Sequence, residues 1–475
     1  MVALMLLAIL TPVLGAFLLP LVSKASVRLR DVLALLFVLV AFACSAALIP
    51  SALAGNPAFM HVDLPLGMSF GFLGDGLAIF MAMISSLIAA IIVFYSFTYM
   101  KQNPRSQHNT EYYLMVTVFL GAMMGLVYST NLIFMYIFWE MAAISSWRLI
   151  GYYRDPDNVV RADKAFMTTV FGALIMLIGF ILIYQQTGTF DITAMKGTEL
   201  SNATVLLILV GIFSKSATLP LHTWLPDAGV APAPVTSLLH AAVLVKIGVY
   251  AYARLFIVSF TVSDLWSTVV PIVAAISALV AAGAAMRAYD LKRLIAYSTV
   301  SQIAFIFLGL STGSALSAAG GLLYILMHGL AKGGLFLCAG IVEHNTHTKD
   351  IRELGGLIKT MPITAVSFLV CGLSVMGLPP FGGFFSKFMV ITGAITSQQP
   401  WIALVFLLGT LMTIAYLMRA FVMVFLGKPK IEAKEGSKSM IASVVGFAVL
   451  SLAAGLLIFY PSSFVHVIMS QIGWV

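Results

Sequence analysis

The chain has 475 residues, 61% of them hydrophobic and 9% charged, with a mean hydropathy of +1.04. Soluble domains carry about 25% charged residues, so this composition excludes an ordinary soluble enzyme and indicates an all-α, polytopic membrane protein that has a lipid bilayer for solvent. The net charge of +8 is scattered over short loops rather than gathered on one solvated face, which argues against nucleic acid as a partner.

From Met1 to about Val22 the chain is apolar, with no basic residue before it and no small-residue cleavage site, so it reads as a retained first span rather than a signal peptide. A span needs about 20 apolar residues. Runs bounded by charged or turn residues predict about 14 helices, beginning near residues 2, 31, 73, 111, 130, 163, 203, 233, 264, 291, 315, 361, 400 and 440. Of the 26 Lys and Arg, 18 fall in alternate loops: Lys24, Arg28 and Arg30; Lys101 and Arg105; Arg154, Arg161 and Lys164; Arg287, Lys292 and Arg293; Lys349, Arg352 and Lys359; and Lys428, Lys430, Lys434 and Lys438. The intervening loops hold Lys196 and Arg254 alone. Basic loops face the cytoplasm. This predicts a multi-pass protein of a prokaryotic inner or plasma membrane, with an even number of spans and both termini outside.

Six basic residues remain. Arg148 and Arg419 lie toward helix ends, from which they can snorkel to the interface. Lys215, Lys246, Lys332 and Lys387 lie inside or at the edge of apolar runs, where a charge costs roughly 2.5–3.5 kcal/mol on insertion scales. Two spans are interrupted: Lys215-Ser-Ala-Thr-Leu-Pro220-Leu-His222-Thr-Trp-Leu-Pro226-Asp227, and Gly377-Leu-Pro379-Pro380-Phe-Gly382-Gly383-Phe-Phe-Ser386-Lys387. Proline breaks the helical ladder, and the freed carbonyls at membrane depth must be covered by protein or water. Two broken helices about five spans apart, each beside a lysine, suggest two structural repeats meeting at a buried site.

Glu140, about ten residues into its run, is the acid at membrane depth. Its partner is a lysine of another helix or, structurally, Arg148, which lies about 12 Å along the same helix. Lys215 beside it is a point charge whose proton affinity rises or falls with the distance of a carboxylate. His240 and Lys246 share one helix; His328 and Lys332, four residues apart, share one face. A histidine one turn from a lysine reads as a proton-relay element. Thr299, Ser301 and Gln302 either order water between the two halves or bond helix to helix, and His222 extends the path. His61, His108, His344 and His347 read as surface groups. Cys44, Cys338 and Cys371 have no metal-ligand spacing and read as small core side chains. No phosphate-binding glycine loop or nucleophile–base motif occurs, so no catalytic, cofactor or metal site is expected in this chain.

The stretch from Lys215 to Arg254, KSATLPLHTWLPDAGVAPAPVTSLLHAAVLVKIGVYAYAR, closely resembles the signature of the antiporter-like proton-channel subunits. That superfamily covers respiratory complex I, the multisubunit Mrp cation/proton antiporters and membrane-bound energy-converting hydrogenases. Further matches are DLKRLIAYSTVSQIAF from Asp290, HGLAKGGLFLCAG from His328 and GLPPFGGFFSKF from Gly377. The resemblance implies a 14-helix core with two inverted five-helix repeats. The divisions would be a three-helix segment over 1–110, half-channels over 111–256 and 264–427, and a C-terminal helix over 428–475. It further implies that Glu140 and Lys215 are the input ion pair, that His240, Lys246, His328 and Lys332 are the connecting relay, and that Lys387 is the terminal lysine.

This sequence departs from the pattern at Arg148, where many relatives are apolar, and at Val170 and Ala173, which replace the Arg and Asp of some relatives. Lys387 stands where one complex I type has glutamate. The chain ends soon after its last span, which sets it apart from the largest complex I subunit with its lateral helix. The expected function is proton translocation as a subunit of a redox-driven complex, similar to complex I or a membrane-bound hydrogenase. Its partners would be antiporter-like paralogues and peripheral redox subunits that hold the iron–sulfur, nickel or flavin centres. The alternatives are a subunit of an Mrp-type Na⁺/H⁺ antiporter, a stand-alone solute transporter, and a non-pumping scaffold.

Overall fold

The computed structural model describes residues 1–63, 69–103 and 105–474. Two apolar helices open the chain, α1 (Val2–Ala25) and α2 (Val27–Ala47), followed by the short α3 (Ile49–Leu53). Their outer faces leave Leu14, Phe17, Leu21 and Val32 exposed, as lipid-facing side chains must be. An antiparallel hairpin follows, β1 (Ala58–Asp63) and β2 (Ser69–Gly74), with Ala58 opposite Gly74. This hairpin departs from the all-helical expectation. Gly71 and Gly74 disfavour helix there, and the buried Phe72 anchors the strand, with a bridge to Ser129.

Then come α4 (Gly76–Tyr99), α5 (Asn109–Tyr128), α6 (Leu132–Ile150), α7 (Pro156–Thr187), α8 (Asn202–Lys215) and α9 (Trp224–Asp227). Next, α10 (Ala233–Ser237) and α11 (Leu244–Tyr252) form one crossing, with π-helical turns at Leu238–Ala242 and Ala253–Ser259. The remainder is α12 (Leu265–Arg287), α13 (Leu291–Leu310), α14 (Ala315–Thr346), α15 (Pro362–Met376), α16 (Gly382–Thr396), α17 (Pro400–Phe425), α18 (Lys438–Leu456) and α19 (Phe459–Gln471). Short polar side chains set several starts by accepting orphan N–H groups. Asp75 accepts from Ala78, Asn131 from Ile133 and Phe134, and Asp290 from Arg293.

Among the described residues, twelve helical segments are long and apolar enough to cross a membrane. Two further crossings are built from pieces: α8 with α9, and α15 with α16. The expected helix starts fall within a few residues of an observed one, except that near 163, which lies seven residues inside α7 (Pro156–Thr187); α19 is additional. One end of the bundle carries the basic loops, cross-linked by Arg105–Asp155 (2.7 Å), Lys164–Asp227 (2.7 Å), Arg293–Asp227 (3.2 Å) and Lys349–Asp290 (2.9 Å). At the other end Gln471 accepts from the Gly76 N–H and donates to the Ala52 carbonyl, beside the hairpin. The five crossings from α5 to α11 start at the basic end and the five from α12 to α17 at the opposite end, each group with its break in the fourth.

The 32-residue α14 runs through the middle with almost every residue buried. Glycines let its neighbours approach closely: a Cβ on Gly333 would lie 2.6 Å from Phe447 of α18, on Gly334 2.3 Å from Cys371 of α15, and on Gly340 2.3 Å from Ala233 of α10.

Two basic residues, Arg254 and Arg148, sit differently from the sequence expectation, and a third, Arg419, reaches a helix end as expected. Arg254 is not in a loop but in the last π-helical turn, buried and bound bidentately to Asp75 at 2.6 and 2.7 Å. Arg148 pairs with Glu111 of α5 (2.5 Å) rather than with Glu140, because Glu111 lies at its own depth near the basic end. Arg419 donates to the carbonyls of Met286 and Ala288 at the C-terminal end of α12, toward the basic end of the bundle.

The second break is tightly built. A Cβ on Gly383 would lie 1.8 Å from the Ser374 carbonyl oxygen, and one on Gly455 2.0 Å from that of Pro380. Overpacking typically costs about 1–3 kcal/mol, occasionally more, and here the obstacle is backbone. Gly383→Ala is therefore expected to lower the melting temperature of the detergent-purified protein; an unchanged melting curve would contradict this packing.

Candidate functional site

The breaks place the lysines. Lys215 is the last residue of α8, fully buried, and its ammonium donates to the Trp139 carbonyl of α6 at 3.1 Å and lies 5.4 Å from the Trp139 ring. Lys387, on α16, reaches back across the other break and donates to the Val375 carbonyl of α15 at 2.8 Å. Each lysine thus meets a helix carbonyl, and Lys387 caps a C-terminus, the electronegative end of a helix dipole.

Glu140 is one residue beyond the carbonyl that Lys215 contacts, yet its Oε1 has no hydrogen-bond partner. No direct Glu140–Lys215 salt bridge forms; the two charges stand on neighbouring helices, with the ammonium one residue along α6 from Glu140. The reason is helical phase. Glu140 shares its face with Ile137 and Ile144, each 49% exposed, so it leans toward the flank of the bundle while the Trp139 carbonyl faces inward.

Lys246, on α11, is buried and its ammonium has no partner among the described residues. It lies against α14, where a Cβ on Gly329 would be 2.2 Å from Nζ; the missing side chain makes room for the ammonium beside His328. His328 and His240 are fully buried, and neither ring nitrogen of either has a partner. His240 sits in the π-helical turn, its ring centroid 4.4 Å from that of Phe336 on α14. Such turns are frequent at functional sites. A buried unsatisfied polar group costs about 1–3 kcal/mol, so this run of unpaired donors and acceptors is not explained by packing.

The second half is more connected. Lys332 donates to the Ile295 carbonyl (3.1 Å) and to Ser298 Oγ (2.6 Å). Ser298 bonds the Tyr416 hydroxyl at 2.7 Å, and Tyr416 donates to Thr413 at 3.2 Å. The Gln302 amide donates to Thr413 (3.1 Å) and Tyr416 (3.4 Å), and its oxygen accepts from Tyr324. The Lys387 ammonium lies 5.5 Å from the Tyr324 ring and 5.6 Å from that of Phe305.

The sequence reading named Gln302 but missed Tyr324, Thr413 and Tyr416. Tyr324 was within reach, since it precedes His328 by four residues on the same face. His222 is not joined to this set; its Nδ1 has no partner. His61 is more than a surface group, for its ring nitrogens face Asp63 (3.1 Å) and Asp191 (3.3 Å).

A bundle crossed by two broken helices, with a file of buried lysines and histidines from α8 to α16, defines a polytopic membrane protein of a particular class. The family described as NADH:quinone oxidoreductase/Mrp antiporter, transmembrane, matches residues 129–413, and the N-terminus of NADH-ubiquinone oxidoreductase (complex I) chain 5 matches residues 60–108. The chain belongs to the first of these families. It is 35% identical over 447 residues to a Na⁺/H⁺ antiporter subunit of Alkalihalophilus pseudofirmus, covering 85% of this chain and 54% of that one. To a Na⁺/H⁺ antiporter subunit of Staphylococcus aureus it is 32% identical over 488 residues, covering 94% and 60%.

The chain therefore spans little more than half the length of these relatives. That and the chain 5 match remove the basis for separating it from the largest complex I subunit by where its last span falls. In fold it is similar to a chain of the Mrp complex from Dietzia sp. DQ12-45-1b (TM-score 0.88, 22% identity, 99% of this chain and 98% of that one). It is comparably similar to a chain of the archaeal membrane-bound sulfane sulfur reductase, a respiratory membrane complex (TM-score 0.90, 23% identity, the same coverage).

Proposed function

We propose that the chain is a proton-translocating, antiporter-like subunit of a multisubunit membrane assembly, and that this assembly is a Na⁺/H⁺ antiporter of the Mrp type. The observation that carries the first part is the buried file Lys215, Lys246, His240, His328, Lys332 and Lys387, enclosed in one bundle and reaching to the second break, with the half-buried Glu140 at its flank end. Groups that both hold and release a proton suit stepwise proton transfer, and the file is rich in nitrogen bases, whereas a sodium site would favour several oxygen ligands. The second part is supported by the curated relatives, which are named as antiporter subunits. A redox-driven assembly, with iron–sulfur, nickel or flavin centres in partner subunits, is the second reading; the likeness in fold to the sulfane sulfur reductase favours it. In either case the basic loops would face the cytoplasm of a prokaryote.

Moving one charge against 100 mV needs about 2.3 kcal/mol, supplied by an opposing ion gradient or by a redox partner. The native assembly, purified through a tag on this chain and reconstituted in vesicles, is expected to move protons when a Na⁺ gradient is imposed, read by a pH-sensitive dye. Proton movement that needs an electron donor and ignores Na⁺ would overturn the antiporter reading in favour of the second.

A further inference from the structure

The hydroxyl run on the Lys332 side has a direction. Ser298 accepts from the Lys332 ammonium; Tyr416 donates to Thr413, and Thr413 donates to the Gly409 carbonyl at 2.7 Å. Ser298 therefore has its own proton to offer Tyr416. From the other side, Tyr324, under the Lys387 ammonium, donates to the Gln302 oxygen. The two runs meet at one amide, whose Nε2 donates toward Tyr416 and Thr413. An amide nitrogen has no basic lone pair with which to accept a proton. With Gln302 in place, the hydroxyl run from Lys332 stops on a backbone carbonyl and does not reach Tyr324.

The side chain has a second position. Turned by half a revolution, its oxygen accepts from Tyr416 or Thr413 and its N–H groups donate to the Tyr324 oxygen, so the amide stays satisfied. Gln302, on α13, is fully buried, and α14 and α17 supply its three hydroxyl partners, Tyr324, Thr413 and Tyr416. A group with two satisfied positions inside a proton path is a two-state element.

We propose that Gln302 is a gate between Lys332 and Lys387: a positioning residue that holds the Tyr416 and Tyr324 hydroxyls apart, and whose displacement lets them exchange a proton. This deepens the proton-translocating reading and rests on it. With the amide aside, Lys332 gives its proton to Ser298 as the Ser298 proton passes to Tyr416. The Tyr416 proton passes to Tyr324, whose own proton passes through one bridging water to a neutral Lys387, because the lysine nitrogen stands over the Tyr324 ring rather than on its hydroxyl. Lys332 ends neutral, Lys387 ends charged, and each hydroxyl regains one proton.

The test uses the whole assembly in vesicles, with thermal melting as the check on folding. Gln302→Ala opens the gap and is expected to raise passive proton leak at least fivefold while the ion-coupled flux falls. Gln302→Leu fills the gap with an apolar plug and is expected to lower coupled flux at least tenfold with no added leak. Tyr324→Phe is expected to behave like Gln302→Leu. Leak that rises in the Ala variant but stays at the wild-type level in the Leu variant supports the gate. Equal effects in both, or none in either, overturn it, because a purely structural glutamine loses the same contacts in both cases. Full coupled transport in Lys215→Ala would instead overturn the parent reading and the gate together.

Discussion

Lys215→Ala is expected to abolish ion-coupled proton movement by the reconstituted assembly while leaving the assembly itself intact. Lys215 is fully buried where α8 breaks, and it is the cation that touches α6 beside Glu140. Removing it leaves a carbonyl that already sits within a helix, so the structural loss is modest, but it deletes a proton-holding group between Glu140 and the remainder of the file. A loss of at least tenfold, roughly 1.4 kcal/mol in barrier, is the minimum for an obligatory step. Lys215→Arg separates charge from chemistry. A guanidinium keeps the charge but does not give up its proton, so Arg should fail nearly as badly as Ala. Rates near wild type in both variants would mean that Lys215 stands outside the path.

The second large effect concerns stability. Asp75 binds Arg254 through both oxygens and also caps α4 by accepting from the Ala78 N–H at 2.9 Å; Arg254 further donates to the Tyr250 hydroxyl at 2.9 Å. Removing one partner of a fully buried pair costs about 3–5 kcal/mol, because the other charge is left unpaired; with the Asp75 side chain 20% exposed, the lower end of that range applies. Asp75→Ala should therefore lower the melting temperature of the detergent-purified assembly strongly, and the double variant Asp75→Ala/Arg254→Met should recover much of the loss. A single variant that melts like wild type would refute the pairing. Burial pushes the Asp75 carboxyl up, but the facing Arg254 guanidinium and the backbone N–H groups of Ala78 and of Asp75 itself outweigh it and hold it below the ordinary 3.8. With a depressed folded-state value, the stabilisation is present in full above the unfolded value and is lost as pH falls through the folded one. Acid destabilisation from this pair should appear only below about pH 4.

The crossings were legible because the bilayer imposes a length and a polarity that local sequence must meet. The breaks were legible because Pro220, Pro226, Pro379 and Pro380 interrupt apolar runs, and the burial of four lysines followed from those runs. Pairing was not legible. Ser298 and Tyr416 are 118 residues apart, and nothing in either neighbourhood announces the other. The missing Glu140–Lys215 bond reflects the phase of one helix, which a residue's depth in a run does not fix. Asp75 and Arg254, 179 residues apart, were hidden in the same way. The hairpin escaped because a pair of six-residue strands is a weak signal beside spans of twenty apolar residues.

The glycine-lined neighbours of α14 bear on how energy can reach its two titratable groups. At Gly333, Gly334 and Gly340, side chains of three different helices close directly onto the α14 backbone, so any shift of the rod there must carry its neighbours with it. His328 and Lys332 are then mounted on a stator. A stroke delivered to them by side chains swinging on the surrounding helices needs no such concerted shift of the mast.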